Sequence, residues 1–344
     1  MHATLLFDKS FIQMLNTEEL FELCVFFQPV GTPILRKEIL ADLEKKSTGE
    51  RNAQDVMKSL CAKLSHSGIE PMEYRKAALT ELATGKPIAM HGAMLIDLSA
   101  SHVTVERGGI HVDGRLLQWD WRRWEAGNYT DEERTLALTH RRELETYEPE
   151  SLRRRLQAFA QRFFGDCKNV GSLIVRIDEL IDDPRPITQE LILGFTASWL
   201  MATEDFQRHL MSLLKLGTIK RVKEYAPFAT SITRLTFAYQ LGLAKGFFGP
   251  RKSDFCDLEY LYYAPFCKFF VSDDRLQKSL WPAATTTAMF CNGRELKLDL
   301  GRRAKLRKEE PESTAGIFPR SLENSVITTM FQHLRERDAG GQPN

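Results

Sequence analysis

Apolar positions along this chain fall into short unbroken runs near its two ends and helical stripes through its middle. Ala3–Phe7 is a short apolar run that stops at Asp8, the pattern of a buried strand. Ser10 with Gln13 three residues later makes a capping box, which predicts a helix beginning immediately after Asp8. Thr17, followed by Glu18 and Glu19, opens a second helix through about Phe27, and Gly31 breaks the pattern. Thr32-Pro33 starts a third, with Thr32 as its cap and Pro33 at its first position. Leu35, Ile39, Leu40 and Leu43 form its apolar stripe, while Glu38 and Asp42 share a different face.

The middle of the chain reads differently. His102–Glu106 and Ile110–Asp113 alternate around Gly108-Gly109, which predicts a hairpin with His111 opposite Glu106. Helical stripes follow at about 131–146, 150–164, 188–216 and 229–246, broken by Pro149, Pro184, Pro186 and Pro227. Ser172–Ile177 is one more strand candidate. So is Phe269-Phe270-Val271, which runs directly into Ser272-Asp273-Asp274. From Gly301 to about Arg320 the chain is charged and loses periodicity, which predicts a linker or disordered segment. Ser321–Arg337 is expected to add a last helix.

Length changes this picture. A chain of 344 residues exceeds the roughly 250–300 at which single cores stop growing, so a second domain or a large insertion is expected. The 47 basic and 46 acidic residues leave a net charge of +1, so any grip on a polyanion has to be local. Six cysteines lie far apart with no C-x-x-C pair, the usage of reduced cytosolic thiols rather than of a disulfide framework. No apolar run is long enough to span a bilayer, and the start MHATLLFDKS lacks a signal-peptide layout. The expectation is a cytoplasmic protein without a membrane partner.

Motifs for phosphate loops, dinucleotides, zinc proteases and serine hydrolases are absent. No two of the eight histidines stand four apart. The carboxylates are more informative. Asp8 and Asp274 stand where an apolar strand gives way, Glu38 stands on a helix that follows one, and Asp254, Asp257 and Glu259 open a helical run. A strand-end Asp is most often a helix cap or a turn residue. Several converging carboxylates, in contrast, repel one another and are stable together around a hard cation such as Mg²⁺ or Mn²⁺.

Two blocks carry a resemblance: LLFDKSFIQML with TPILRKEILADLEK, and DLEYLYYAPFCKFFVSDDRL. Together they resemble a PIN domain, the fold of a class of metal-dependent ribonucleases, and are similar to long bacterial PIN-like proteins of unknown function. The resemblance covers roughly residues 1–60 and 235–300. It implies an α/β fold, a parallel sheet flanked by helices, with Asp8, Glu38, Asp257 and Asp274 as metal-holding acids and Ser272 orienting the site. The distance between the second and third acids is far larger than in a compact PIN domain, so a large, mostly α-helical insertion is implied. The division expected is 1–90 with 226–300 as the PIN-like domain, 91–225 as a helical lobe with the hairpin, and 301–344 as a charged, partly disordered tail.

By that resemblance the protein is expected to be an endoribonuclease using Mg²⁺ or Mn²⁺ to hydrolyse single-stranded RNA, in a toxin-like or phage-defence setting. A homo-oligomer or an inhibitory protein partner is compatible with it. Two other readings stand beside it: a catalytically idle PIN-like scaffold that binds a partner through its insertion, and a helical regulatory protein. The last would require that Ala3–Phe7 and Phe269–Val271 not be neighbouring parallel strands. Candidate RNA contacts are Arg122 and Arg123, interleaved with Trp119, Trp121 and Trp124, and the run Arg153, Arg154, Arg155. For the tryptophans, burial in a packing segment is the favoured reading.

Overall fold

The computed structural model describes residues 3–44, 53–64, 71–97, 103–106, 109–112, 114–284, 286–309 and 325–339. Its strands are β1 (Ala3–Phe7), β2 (Phe27–Val30), β3 (Val103–Glu106), β4 (Gly109–Val112), β5 (Phe269–Ser272) and β6 (Met289–Asn292). Four of them form an all-parallel sheet in the order β2-β1-β5-β6, and β3 and β4 form a separate antiparallel pair. Helices flank the parallel sheet, so the fold class is mixed α/β. The two central strands pair as Leu5 with Phe269, Leu6 with Phe270 and Phe7 with Val271. All six side chains are buried, because a parallel pair covered on both faces is apolar at consecutive positions. This parallel neighbourhood removes the helical reading that lacked it.

The edge strands escaped the sequence pattern. β2 reads Phe-Gln-Pro-Val, and a proline is tolerated only because β2 lies at the sheet edge. The second helix therefore ends at Phe26 and Phe27 already belongs to β2. Its cap is Asn16, in a capping box with Glu19, rather than Thr17. Similarly, the first helix is capped by Asp8, not by Ser10. The helix Pro33–Ala41 has the expected Thr32 cap.

Other differences have equally local causes. Ser172–Ile177 is not a strand but part of the helix Val170–Asp182, with Leu173, Ile174, Ile177 and Ile181 buried along one face. That helical period over three turns outweighs the β-branched composition. The stripe at 188–216 is two helices, Pro186–Trp199 and Glu204–Lys215, broken where Met201 takes a φ of 57°. In the hairpin Glu106 faces Gly109 and His111 faces Thr104, so the loop falls earlier than expected. Residues 301–309 are no linker: they complete the helix Gly293–Glu309, whose Arg303 is buried and pairs with the equally buried Glu22. Residues 310–320 lie outside the described set. The final helix is Val326–Ala339.

The helices Gly114–Glu125 and Asp131–Thr146 pack on Ala53–Leu64 and Pro33–Ala41, and Pro149–Phe164 and Val170–Asp182 pack on Pro227–Ala244. Their buried residues, Trp124, Ala137 and Leu173 among them, join one contiguous core with β1 and β5. Among the described residues no helix is long and apolar enough to cross a membrane.

Candidate functional site

The chain leaves β1 toward β2 on one side and leaves β5 toward β6 on the other. The carboxyl ends of β1 and β5 therefore border the point where strand order reverses, the position at which open parallel sheets form a crevice. Because Phe7 is in register with Val271, Asp8 and Ser272 emerge side by side. The Ser272 hydroxyl donates to Asp8 Oδ2 and accepts the Asp274 N–H at 2.9 Å. Ser272 thus ties two of the expected acids to each other.

Both strand-end acids are also helix caps. Asp8 Oδ1 accepts the Phe11 N–H at 2.7 Å, and Asp274 Oδ1 accepts the N–H groups of Leu276 and Gln277 at 2.7 and 3.0 Å. One oxygen of each carboxylate caps, and the other turns toward its neighbours. Asp274 Oδ2 lies 3.2 Å from Arg251 Nη2, and Asp257 Oδ2 lies 3.8 Å from the same nitrogen. Asp257 and Asp254 belong to the helix Asp254–Leu261, three residues apart and so on one face. Asp254 is fully buried and receives Arg251 Nε at 2.8 Å and its backbone N–H at 3.2 Å. Glu38 reaches the group from the helix Pro33–Ala41 and accepts the Tyr260 hydroxyl. Asp42, the residue that caps the end of that helix, is instead paired with Lys9 at 2.6 Å.

Asp273 faces elsewhere. Its Oδ1 accepts the Arg294 N–H at 3.1 Å and its Oδ2 lies 3.6 Å from the Arg294 guanidinium.

The four acids feel one another. Burial, with the charges of Asp274 and Glu38 adding to it, pushes the Asp257 carboxyl up to about 8, against the opposing pull of Arg251. Burial raises Asp8 to about 6, with Glu38 and Asp274 contributing and the Ser272 and Phe11 hydrogen bonds opposing. Asp254 is raised by burial as well. Among the described residues, however, no three His, Cys, Asp or Glu side chains stand together as a ready-made metal centre. The donor set still fits a hard divalent cation in kind, since every donor is a carboxylate oxygen.

Several partners were not legible from the motif. Arg251 is signalled only by its place three residues before Asp254, and Tyr260 resembled an ordinary core aromatic. Gln277 is fully buried and its amide donates to the Asp257 carbonyl at 3.0 Å. Beside Glu38 opens a cleft of about 320 Å³ whose lining includes Lys9, Asp42, Arg141, Lys252 and Cys256.

The arginine candidates divide. Trp121 and Trp124 are buried, with Arg36 over the Trp124 ring at 5.2 Å, so they cannot stack bases; the Trp119 side chain lies outside the described set. Arg123 is committed to Glu133 and Asp120. Arg122 is exposed. Arg153 pairs with Glu150 at 3.5 Å, whereas Arg154 and Arg155 are exposed. No family model, curated protein or solved structure matches this chain.

Proposed function

We propose that this protein is a PIN-like nuclease that uses Mg²⁺ or Mn²⁺ to hydrolyse single-stranded RNA, with 91–225 as a helical insertion in the nuclease domain. The supporting observation is the convergence of Asp8 and Asp274 at the carboxyl ends of adjacent parallel strands, electrostatically coupled to Glu38 and Asp257. Those four acids are the ones that would hold the cation. When bound, a divalent cation supplies Lewis-acid polarisation of the phosphate and a water of lowered pKa.

The chain's own residues do the positioning. Ser272 sets Asp8 against Asp274 through two hydrogen bonds. Tyr260, whose hydroxyl burial and the Glu38 charge keep protonated, holds the Glu38 carboxylate in place. Gln277 anchors the backbone of Asp257. Arg154 and Arg155 offer exposed charge to a phosphodiester chain.

A second reading, the idle scaffold, is favoured by the absence of a ready-made metal centre among the described residues and by the full engagement of Asp8 with Phe11 and Ser272. Cleavage separates the two. The purified protein with Mn²⁺ should cut single-stranded RNA, and Asp8→Asn should abolish cutting while circular dichroism remains that of the parent. RNA that binds but stays intact in Mn²⁺ and in Mg²⁺ would leave the scaffold reading.

A further inference from the structure

We propose that Arg251 is an internal counter-cation of the acidic crevice, one that a divalent cation must displace in order to bind. The inference rests on the metal-site reading above and goes beyond it by naming the side chain that competes with the cation for its carboxylates.

Three carboxylates from two elements meet on this one guanidinium: Asp254 at 2.8 Å, Asp274 at 3.2 Å and Asp257 at 3.8 Å. Burying like charges side by side is costly unless a cation lies between them, and the planar five-donor fork of arginine can serve several carboxylates at once. The attachments are unequal. Nε and the backbone N–H both go to Asp254, which is sealed from solvent, while Nη2 alone reaches Asp257 and Asp274. The first pair is an anchor and the second a movable arm. Asp254 also takes the first turn of its helix, so the anchor is built into the turn that precedes Asp257.

Exposure agrees with that division. The Arg251 side chain is 49% exposed, against 18% for Asp274 and 20% for Asp257. The guanidinium therefore closes the crevice from the solvent side and can withdraw outward without disturbing the core. Asp257 and Asp274 would hold the cation once Nη2 had left them, and Nε would keep Arg251 tethered to Asp254 at the rim. Arg251 and the divalent cation thus compete for the same two carboxylates. This also accounts for the adjacency of Asp254 and Asp257: the first holds the arginine, the second is what the arginine shields.

The test is direct Mn²⁺ binding to the full chain, measured by calorimetry and by the paramagnetic signal of free Mn²⁺, with no RNA present. Arg251→Gln removes the charge yet keeps a donor for Asp254, and should bind Mn²⁺ about tenfold more tightly than the parent. Arg251→Lys, a charge without the fork, should fall between them. In EDTA the Gln variant should melt below the parent, and Mn²⁺ should raise its melting temperature by more than it raises the parent's. Equal or weaker Mn²⁺ binding by Arg251→Gln overturns the counter-cation role, while the acids keep their assignment if Asp257→Asn weakens binding. Binding that is absent from parent and Gln variant, or that Asp257→Asn leaves unchanged, overturns the metal site and this inference together.

Discussion

Asp8 and Asp274 each divide two oxygens between two tasks, and asparagine can perform only one of them. Its amide oxygen caps a helix as well as aspartate does, but it brings no charge to a cation. Asp274→Asn should therefore stay within about 1 kcal/mol of the parent in urea unfolding, whereas Asp8→Asn turns an amide toward the buried Ser272 hydroxyl and should cost about 1–2 kcal/mol without unfolding the chain. Asp274→Asn and Asp257→Asn should each lose at least about a hundredfold in cleavage rate. Asp273→Asn, facing Arg294, should cost cleavage much less. Asp254→Asn should lose stability before rate, since it releases a buried anchor of Arg251. A comparison of the four variants at saturating Mn²⁺ decides the register, and essential Asp273 with dispensable Asp274 would shift it. The Asp257 pKa adds a pH prediction. A carboxyl raised from its ordinary range to about 8 holds a proton in the folded chain that the unfolded chain has already lost. Its contribution to stability is complete below about pH 4 and is lost as pH climbs through 8. In metal-free buffer Asp257→Asn should thus be more stable than the parent at pH 8.5, by about 1–2 kcal/mol, with the gap closing at pH 4.5. Parallel pH profiles for the two proteins would count against the buried acid.

At the scale of elements, the helix Pro227–Ala244 depends on a residue far away in sequence. Its own Ala226 supplies no side-chain cap. Instead Glu81, buried on the helix Tyr74–Thr84, accepts the Phe228 and Ala229 N–H groups at 3.2 and 2.8 Å and the Ile88 N–H at 2.7 Å. Glu81→Gln turns an amide donor toward backbone donors and should lower stability by about 2–3 kcal/mol. Glu73, the half-buried cap of Tyr74–Thr84, holds a single backbone N–H and should cost about 1 kcal/mol when changed to Ala. Chemical denaturation midpoints compare them, and equal losses would mean that burial of the cap carries no weight. The same scale explains which elements were legible. Val170–Asp182 repeats its apolar residues with a helical period, so its identity as a helix was available from a longer window than Ser172–Ile177. β2 and β6 are four residues each and carry Gln28, Pro29 and Asn292, so no period existed to read.

For the whole molecule, charge is balanced overall and used locally. Arg123 is held by Glu133 and Asp120 within the helical layer, and Arg303 is buried against Glu22 beneath the last helices. Neither is available to a polyanion. RNA binding in Ca²⁺ should lose part of its salt dependence when Arg154 and Arg155 are both changed to Ala, since each lost phosphate contact releases fewer counterions. Arg123→Ala should leave the slope unchanged and reduce thermal stability. A slope that drops for Arg123→Ala and not for the Arg154-Arg155 pair would move the RNA path to the other face.

The sequence by itself determined the two central strands, the acids at their ends, the helix stripes between the prolines and the Thr32 cap. Each of these is written in contiguous residues: a run of apolar side chains, a polar stop, a period, a proline. It also set Ser272 two residues before Asp274. Only the tertiary structure decided the strand order β2-β1-β5-β6, which makes the ends of β1 and β5 a crevice. Tertiary packing alone brought Arg251 onto Asp274, Tyr260 onto Glu38 and Glu81 onto the helix at Pro227. Those pairs are separated by 23, 222 and 148 residues. No local period or motif records such meetings, because they are selected by the free energy of burying a charge with its partner, a quantity that exists only once the chain has closed around both.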